Sequence, residues 1–479
     1  MKKLKNTLLI IVGIIILGGT SAFIYNQSTQ KTIAILLYDD FTMLDVVGAY
    51  QTFPSLFQNG YRMKFVAKEK GMVMSSHIQS LNADYSLDEI SDADILFIPS
   101  GEHMENKLND KSIIDWIKKI DDQSSYTLTV GSGSLLLGKT GILNGKKNAT
   151  QWFNKSKIEK QGAIYVDKNY VVDEKYYSGK GASASIDMVL ELINNIAGEK
   201  QAKAMQLFIE YDPKPPVHSG MYQEADSIVK SIANQLVVNN AIELQSNGNK
   251  TIVMYLYKGF TMLDMIGPYQ VFKELEPLGY EMKFVAKEKG LVSSDMILSL
   301  NADYSISEIE NVDILFIPGG SNTSDAMMDS DIVNWIKKVN QNTSYSTSVC
   351  TGSLLYAKAG LLENRNASTH WYTGKFLKDY GANYMHQRYT VDDKFITGAG
   401  VSSGIDLALL ITKEVVNENY AKGIQLKIGY HPNPPFNAGS PEKSDKDIVD
   451  MLSKMYSGAD EKYNKAKEQC RVGKGELHP

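Results

Sequence analysis

Short runs of β-branched and aromatic residues alternate along the chain with amphipathic stretches, the pattern of a parallel sheet covered by helices. From residue 250 onward, the runs 252–256, 282–285, 314–317 and 345–349 predict strands. Apolar positions at helical spacing predict helices at about 264–275, 332–339, 353–359, 402–415 and 420–428. Most of these strands lead through a turn toward a helix. Gly319, Gly320 and Cys350 therefore fall on the carboxyl edge of the sheet, where open α/β sheets bind ligands.

The pattern occurs twice. Lys31-Thr32-Ile33 recurs as Lys250-Thr251-Ile252, an offset of 219 that then holds without a gap. Phe-Thr-Met-Leu-Asp at 41–45 returns at 260–264, the stretch 94–99 returns at 313–318, and Pro215-Pro216 returns as Pro434-Pro435. The organisation that follows is a domain over 30–220, a helix and linker over 221–249, a second domain over 250–440, and a C-terminal helix and tail over 441–479. Helical spacing over 223–236 and 448–456 predicts a helix that finishes each copy, and the charged end from Gly458 is expected to fray.

The N-terminus changes this picture. Lys2, Lys3 and Lys5 precede an uncharged, Leu- and Ile-rich run over 6–25, close to membrane-spanning length, so residues 1–27 are expected to form a single-pass anchor. The lysines favour an orientation with both domains on the extracytoplasmic side; the small residues Thr20-Ser21-Ala22 leave secretion after cleavage as the alternative.

Composition adds exclusions. Hydrophobic residues at 43%, charged residues at 22% and a net charge of -5 supply ample core and no basic excess for nucleic acid. Two cysteines exclude a disulfide scaffold, and nothing in the sequence brings Cys470, in a Lys-rich tail, to Cys350. No His/Cys/Asp cluster at ligand spacing, phosphate-cradling loop or GxGxxG calls for a metal or organic cofactor.

The segment 346–355 reads as strand, corner and helix, with Cys350 on the corner and small Gly352 and Ser353 letting the helix approach the strand. Such a corner lifts one side chain above the sheet. A helix N-terminus just beyond it is expected to lower the thiol pKa and to stabilise an anion forming on a substrate.

Val349-Cys350-Thr351-Gly352 preceded by Ile317-Pro318-Gly319-Gly320 resembles the ThiJ/PfpI family of the class I glutamine amidotransferase-like superfamily. The stretch 260–268, Ser368-Thr369-His370-Trp371, Thr397-Gly398-Ala399-Gly400 and the Pro-rich 434–441 narrow the likeness to the isonitrile hydratase subgroup. The resemblance implies two flavodoxin-like, class I glutamine amidotransferase-like domains, each a mostly parallel sheet with helices on both faces. It implies hydration of an isonitrile to a formamide, a carbon-oxygen lyase reaction without cofactor, with Cys350 as nucleophile and Asp264 as acid/base. Thr351 would supply its hydroxyl and N–H, and Gly319 or Gly320 a second N–H donor. A small-molecule substrate and an internal pseudo-dimer of the two copies are implied partners.

Comparing the copies weighs these roles. Cys350 corresponds to Gly131, His370 to Gln151, Thr351 to Ser132 and Gly319 to Ser100, so these positions change together and belong to one site. His370 could orient water or the thiolate, or be an ordinary loop histidine. Asp264 differs, because Asp45 persists where no thiol exists, as do Trp152 for Trp371 and Asp187 for Asp406. An Asp in a first helical turn is also a good cap. The alternative function is a ligand- or redox-sensing module that binds without turnover.

Overall fold

The computed structural model describes residues 30–76, 79–181, 183–238 and 249–472. In the first copy β1 (Lys31–Leu36), β2 (Tyr61–Ala67), β3 (Tyr85–Ser86), β4 (Ile95–Ile98), β5 (Tyr126–Val130), β6 (Tyr170–Asp173) and β7 (Tyr176–Gly179) form one sheet. Their order is β6-β7-β5-β4-β1-β2-β3. In the second, β8 (Lys250–Tyr255), β9 (Tyr280–Ala286), β10 (Tyr304–Ser305), β11 (Ile314–Ile317), β12 (Tyr345–Ser348), β13 (Tyr389–Asp392) and β14 (Phe395–Gly398) repeat that order. Within these two sheets, among the described residues, only the edge pairs β6–β7 and β13–β14 are antiparallel. The central strands are apolar throughout and buried on both faces, as β4 and β11, both Ile-Leu-Phe-Ile, illustrate.

The four strands predicted in the second copy coincide with β8, β9, β11 and β12. β10, of two residues, and the β13–β14 hairpin, Tyr-Thr-Val-Asp and Phe-Ile-Thr-Gly, lack the continuous apolar run that marks β11 at the same four-residue length. One element of the expected fold class is corrected. Among the described residues no helix is long and apolar enough to cross a membrane. The segment expected to do so, within 1–27, lies outside the described residues, and the described residues form two tandem α/β units.

The helices that bear on the site are α1 (Met43–Thr52), α2 (Glu199–Phe208), α3 (Ser227–Val237), α4 (Met262–Phe272), α5 (Ser353–Lys358), α6 (Ser403–Val415), α7 (Glu418–Lys427), α8 (Lys446–Tyr456) and α9 (Asp460–Val472). The copies meet along α1 and α4, and each finishing helix lies on the other copy: α3 on α7, and α8 on α2. Polar contacts run in both directions, and the Asp187 and Asp406 contacts repeat at the 219-residue offset. Gln206 donates to the Phe436 carbonyl and Gln425 accepts from the Ser219 N–H, each at 2.8 Å. Asp406 accepts from the Lys214 N–H at 2.9 Å, and Asp187 from the Asn433 N–H at 3.0 Å. The Asp187/Asp406 pair is thus kept because each member binds the other copy's Pro-rich loop.

Arg388 is the buried pin of this contact. Its Nε donates to Asp406 at 3.0 Å, its Nη1 to the Glu210 carbonyl at 2.9 Å and its Nη2 to Ser402 at 2.8 Å. Arg388→Ala strands the Asp406 carboxylate in the interior. We expect a loss of about 3–5 kcal/mol in urea unfolding.

Candidate active site

β12 ends at Ser348, and Val349 leads into Cys350, whose φ of 54° lies in the left-handed region. A single 3-10 turn, Cys350–Gly352, then passes into α5. A non-glycine held there costs on the order of 1–3 kcal/mol and persists only where its surroundings enforce it. Gly352 does so: a Cβ added there would lie 2.4 Å from the Ile317 carbonyl oxygen, so only glycine lets α5 reach β11. Beneath the nucleophile, a Cβ on Gly319 would lie 2.6 Å from the Cβ of Cys350 and 2.8 Å from its Sγ.

The thiol is nearly enclosed, with Cys350 6% exposed. Asp264, in the first turn of α4 and 0% exposed, faces it. Asp264 Oδ2 accepts the Gly319 N–H at 2.8 Å, while Oδ1 has no hydrogen-bond partner. Burial pushes the Asp264 carboxyl up to about 8, with a further push from nearby Asp295, so it holds a proton at neutral pH. Asp295, pushed up to about 7 by burial, is pinned by the Thr261 hydroxyl at 2.7 Å. Burial, and then the Asp264 and Glu210 carboxyls, push the Cys350 thiol well above its ordinary range, against a smaller opposing pull from the Thr351 N–H. This reverses the expected effect of the helix N-terminus. α5 has only six residues and starts three past the sulfur, too little to offset burial.

The glycines expected as oxyanion donors are engaged: the Gly319 N–H by Asp264, and the Gly320 N–H by the Thr351 hydroxyl at 2.9 Å. The Thr351 hydroxyl also meets Thr323 at 2.6 Å, which leaves the Thr351 N–H as the backbone donor at the sulfur. His370 is buried beside this cluster, and Thr369, the residue before it, donates to the Cys350 carbonyl at 2.9 Å. Burial pushes His370 down to about 3, so the ring is neutral. Its Nδ1 accepts the Tyr372 N–H at 3.4 Å, which assigns the ring proton to Nε2, 3.7 Å from Oε2 of Glu210 in the first copy.

Two helices cover the site. Tyr456 of α8 packs on His370 and Trp371, with ring centroids 4.9 and 5.6 Å apart. Tyr463 of α9 stacks on Phe376 at 4.8 Å, and its hydroxyl engages Thr351 and Thr323. α9 replaces the frayed end expected from Gly458. Tyr463 and Ala466, three residues apart on one face, are buried, and the Lys375–Asp460 and Lys467–Asp379 pairs at 2.7 Å fasten its two ends. Tyr463→Ala opens this cover, and alkylation of Cys350 by iodoacetamide is expected to accelerate about tenfold, the effect of making local opening easier by about 1.4 kcal/mol.

The first copy shows how such a site closes when the thiol is lost. A Cβ on Gly131 would lie 2.2 Å from Gln151 Nε2, so the amide fills the thiol's place. Ser100 gives both its hydroxyl and its N–H to Asp45. The hydroxyl thus replaces the thiol as carboxyl partner, which explains why Asp45 outlived the nucleophile. It also explains the coupling of positions 319 and 350: a side chain beneath the corner fits only when the corner is glycine.

Sequence reasoning missed Glu210, Asp295, Tyr456 and Tyr463. The first two were visible in the offset comparison, where Gly429 stands for Glu210 and Ser76 for Asp295. Among the described residues no group of three or more His, Cys, Asp or Glu side chains is placed to hold a metal ion.

Residues 31–195 and 250–414 each match the DJ-1/PfpI family profile. The chain is similar to isonitrile hydratase from Pseudomonas putida, 34% identical over 199 residues, covering 42% of this chain and 86% of that protein. It is also similar to Protein DJ-1 homolog A of Arabidopsis thaliana, 21% identical over 362 residues, 74% of this chain and 87% of that one. A likeness to Deglycase PfpI of Pyrococcus furiosus is 24% identical over 151 residues, 31% of this chain and 89% of that protein. Among solved structures, a ThiJ/PfpI family protein from Pseudomonas syringae is 31% identical, covering 47% of this chain and 93% of that chain at a TM-score of 0.45.

Proposed function

This chain belongs to the DJ-1/PfpI family through both of its α/β units, and from that premise we propose that the second unit hydrates isonitriles to N-substituted formamides through Cys350. The observation that carries this is the buried Cys350 thiol facing the buried carboxyl of Asp264 beside the rings of Tyr257, Tyr456 and Tyr463. An isonitrile is small, uncharged and apolar, and its terminal carbon accepts a proton before it accepts a nucleophile. A carboxyl held protonated near neutrality is matched to that order of events.

In the first half-reaction the Asp264 proton passes to the isonitrile carbon, and the Cys350 sulfur bonds to the same carbon. The thiol proton returns to Asp264, which leaves R–N=CH–S on the enzyme and no net change in charge or oxidation state. In the second, water adds to that carbon, the C–S bond breaks, the sulfur regains a proton, and R–NH–CHO leaves. The Thr351 N–H is the backbone donor beside the sulfur throughout.

A redox sensor wants an exposed thiol of lowered pKa. Cys350 is neither exposed nor lowered, so the physical chemistry favours the hydratase over the sensing module. The two copies act as an internal pseudo-dimer in this proposal, supported by the Asp187–Asn433 and Asp406–Lys214 contacts that repeat at the 219-residue offset.

The test is to incubate the purified chain with cyclohexyl isonitrile and follow N-cyclohexylformamide by NMR, with dicarbonyl-modified thiols run in parallel. Formamide formation supports the proposal. Deglycation without formamide would move the chemistry to the other activity named among its relatives.

A further inference from the structure

Four residues in this chain hold a left-handed backbone corner without being glycine while their repeat counterparts are glycine: Asp40 against Gly259, Asn364 against Gly145, Cys350 (φ 54°) against Gly131 (φ 50°), and Glu210 (φ 42°) against Gly429 (φ 64°). Each such non-glycine is strained, and glycine at the equivalent corner shows the relaxed solution. Of the four, Cys350 and Glu210 lie in different copies, yet they are brought together at one buried cluster. Glu210 sits in the turn after α2 and reaches into the second copy, where its Oε2 lies 3.7 Å from His370 Nε2 and its carboxyl accepts the Trp371 N–H. Its own carbonyl is held there by Arg388 at 2.9 Å. Gly400 makes the room, since a Cβ on it would lie 2.0 Å from the Glu210 Cβ.

The mirror-image junction exists and is empty of chemistry. Gly429 lies against Gly181, the counterpart of Gly400, with the Gly181 Cα 3.4 Å from where a Cβ on Gly429 would be. Each junction therefore combines one copy's nucleophile corner with the other copy's turn after α2 or α7. One junction pairs Cys350 with Glu210, and the other pairs Gly131 with Gly429. Nucleophile and carboxylate have been kept together at one junction and lost together at the other.

We propose that the active site is composite, and that Glu210 of the first copy is a positioning residue for the Cys350 chemistry, holding the His370 ring and placing a second buried carboxyl beside the sulfur. The proposal gives the first copy a role although it lacks a thiol: it supplies Glu210. Glu210 is 5% exposed and its Oε2 has no hydrogen-bond partner, so a buried acceptor is left open toward His370 and the site. The groups that face Glu210 are His370, Arg388, Asp264, Tyr384, Tyr456 and Glu442; those facing Cys350 are Asp264, Glu210, Asp295, Tyr257, Tyr456 and Tyr463. Burial pushes Glu210 up to about 8, so it is neutral at pH 7 and negative in alkali, where its charge opposes ionisation of the thiol.

The inference concerns the site that carries the proposed hydration, but its test does not depend on that activity. The rate of Cys350 alkylation by iodoacetamide is measured from pH 6 to 11 in the full chain, in wild type, Glu210→Gln and Glu210→Gly. Gln keeps the shape and the acceptor but cannot become charged, so its alkylation profile is expected to move to lower pH. Gly reproduces the other junction, frees His370, and is expected to lower kcat/KM for isonitrile by about 10²-fold, the scale of a misplaced catalytic group. Should Gly fail to fold, the Gln profile decides. Superimposable alkylation profiles in wild type and Gln overturn the proposal. Absence of isonitrile turnover in wild type with a shifted Gln profile overturns the assigned reaction and leaves the composite site standing.

Discussion

Cys350→Ser is expected to remove isonitrile hydration, with kcat lowered by on the order of 10⁴-fold or more, while the protein stays folded. Serine is chosen because the first copy contains its own control. There a serine hydroxyl, Ser100 at the position of Gly319, already donates to the buried carboxyl Asp45, so a hydroxyl beside Asp264 is a compatible partner for that carboxyl. The left-handed corner is no worse for Ser than for Cys, and the volume is nearly unchanged. Thermal unfolding of the variant should therefore match wild type to within about 1 kcal/mol. What is lost is the sulfur: a neutral hydroxyl is a far weaker nucleophile than a neutral thiol and adds far more slowly to the activated carbon. The measurement is formamide production at saturating isonitrile, with circular dichroism melting as the check on folding.

Asp264→Asn is expected to lower kcat by about 10²–10⁴-fold, the range for removing a positioned acid/base. It should also change the shape of the pH profile. The folded-state value for Asp264, about 8, lies above its ordinary 3.8. The neutral acid is therefore present below pH 8 and lost above it. Wild-type turnover should fall as pH rises through that value, and the variant should lack that alkaline limb. The sign for stability follows from the same shift. Between the ordinary value and about 8 the unfolded chain has released the proton that the folded chain still holds, so the group makes wild type progressively less stable as pH rises across that window. Asn has no such dependence, and its stability relative to wild type should improve from pH 5 to pH 8 in urea unfolding.

The elements most legible in the sequence were those with long, strongly patterned signals. The Ile-Leu-Phe-Ile strands, the elbow around Cys350 and the gapless repeat all announced themselves because burial on both faces, a tight corner and duplication leave local marks. Asp264 and His370 were legible as candidates, and the structure brings both to the buried cluster around the sulfur. Glu210 was not, because its part depends on which copy it touches, and periodicity says nothing about contacts across an interface. α9 was obscured for a different reason. Its composition is highly charged, and two buried residues, Tyr463 and Ala466, suffice to seat it on the site. The thiol's environment was misjudged because dipole arguments were applied to a corner whose chemistry is governed by burial.

The residues conserved between the two copies also gain a physical explanation. Asp187 and Asp406, and Gln206 and Gln425, bind the opposite copy's Pro-rich loop, while Trp152 and Trp371 pack near the finishing helices, so their persistence reflects the interface. Those that diverge, at positions 100 and 319, 131 and 350, 151 and 370, 210 and 429, lie at the site of the proposed chemistry and its counterpart in the first copy.

The most direct test is to quench wild-type protein with acid during turnover of cyclohexyl isonitrile and map the adduct by peptide mass spectrometry. Cys350 should carry one full isonitrile mass, as the thioimidate requires, and the adduct should decay as formamide appears. Formamide accumulating at equal rates in wild type and Cys350→Ser, with Cys350 unmodified, would contradict the account.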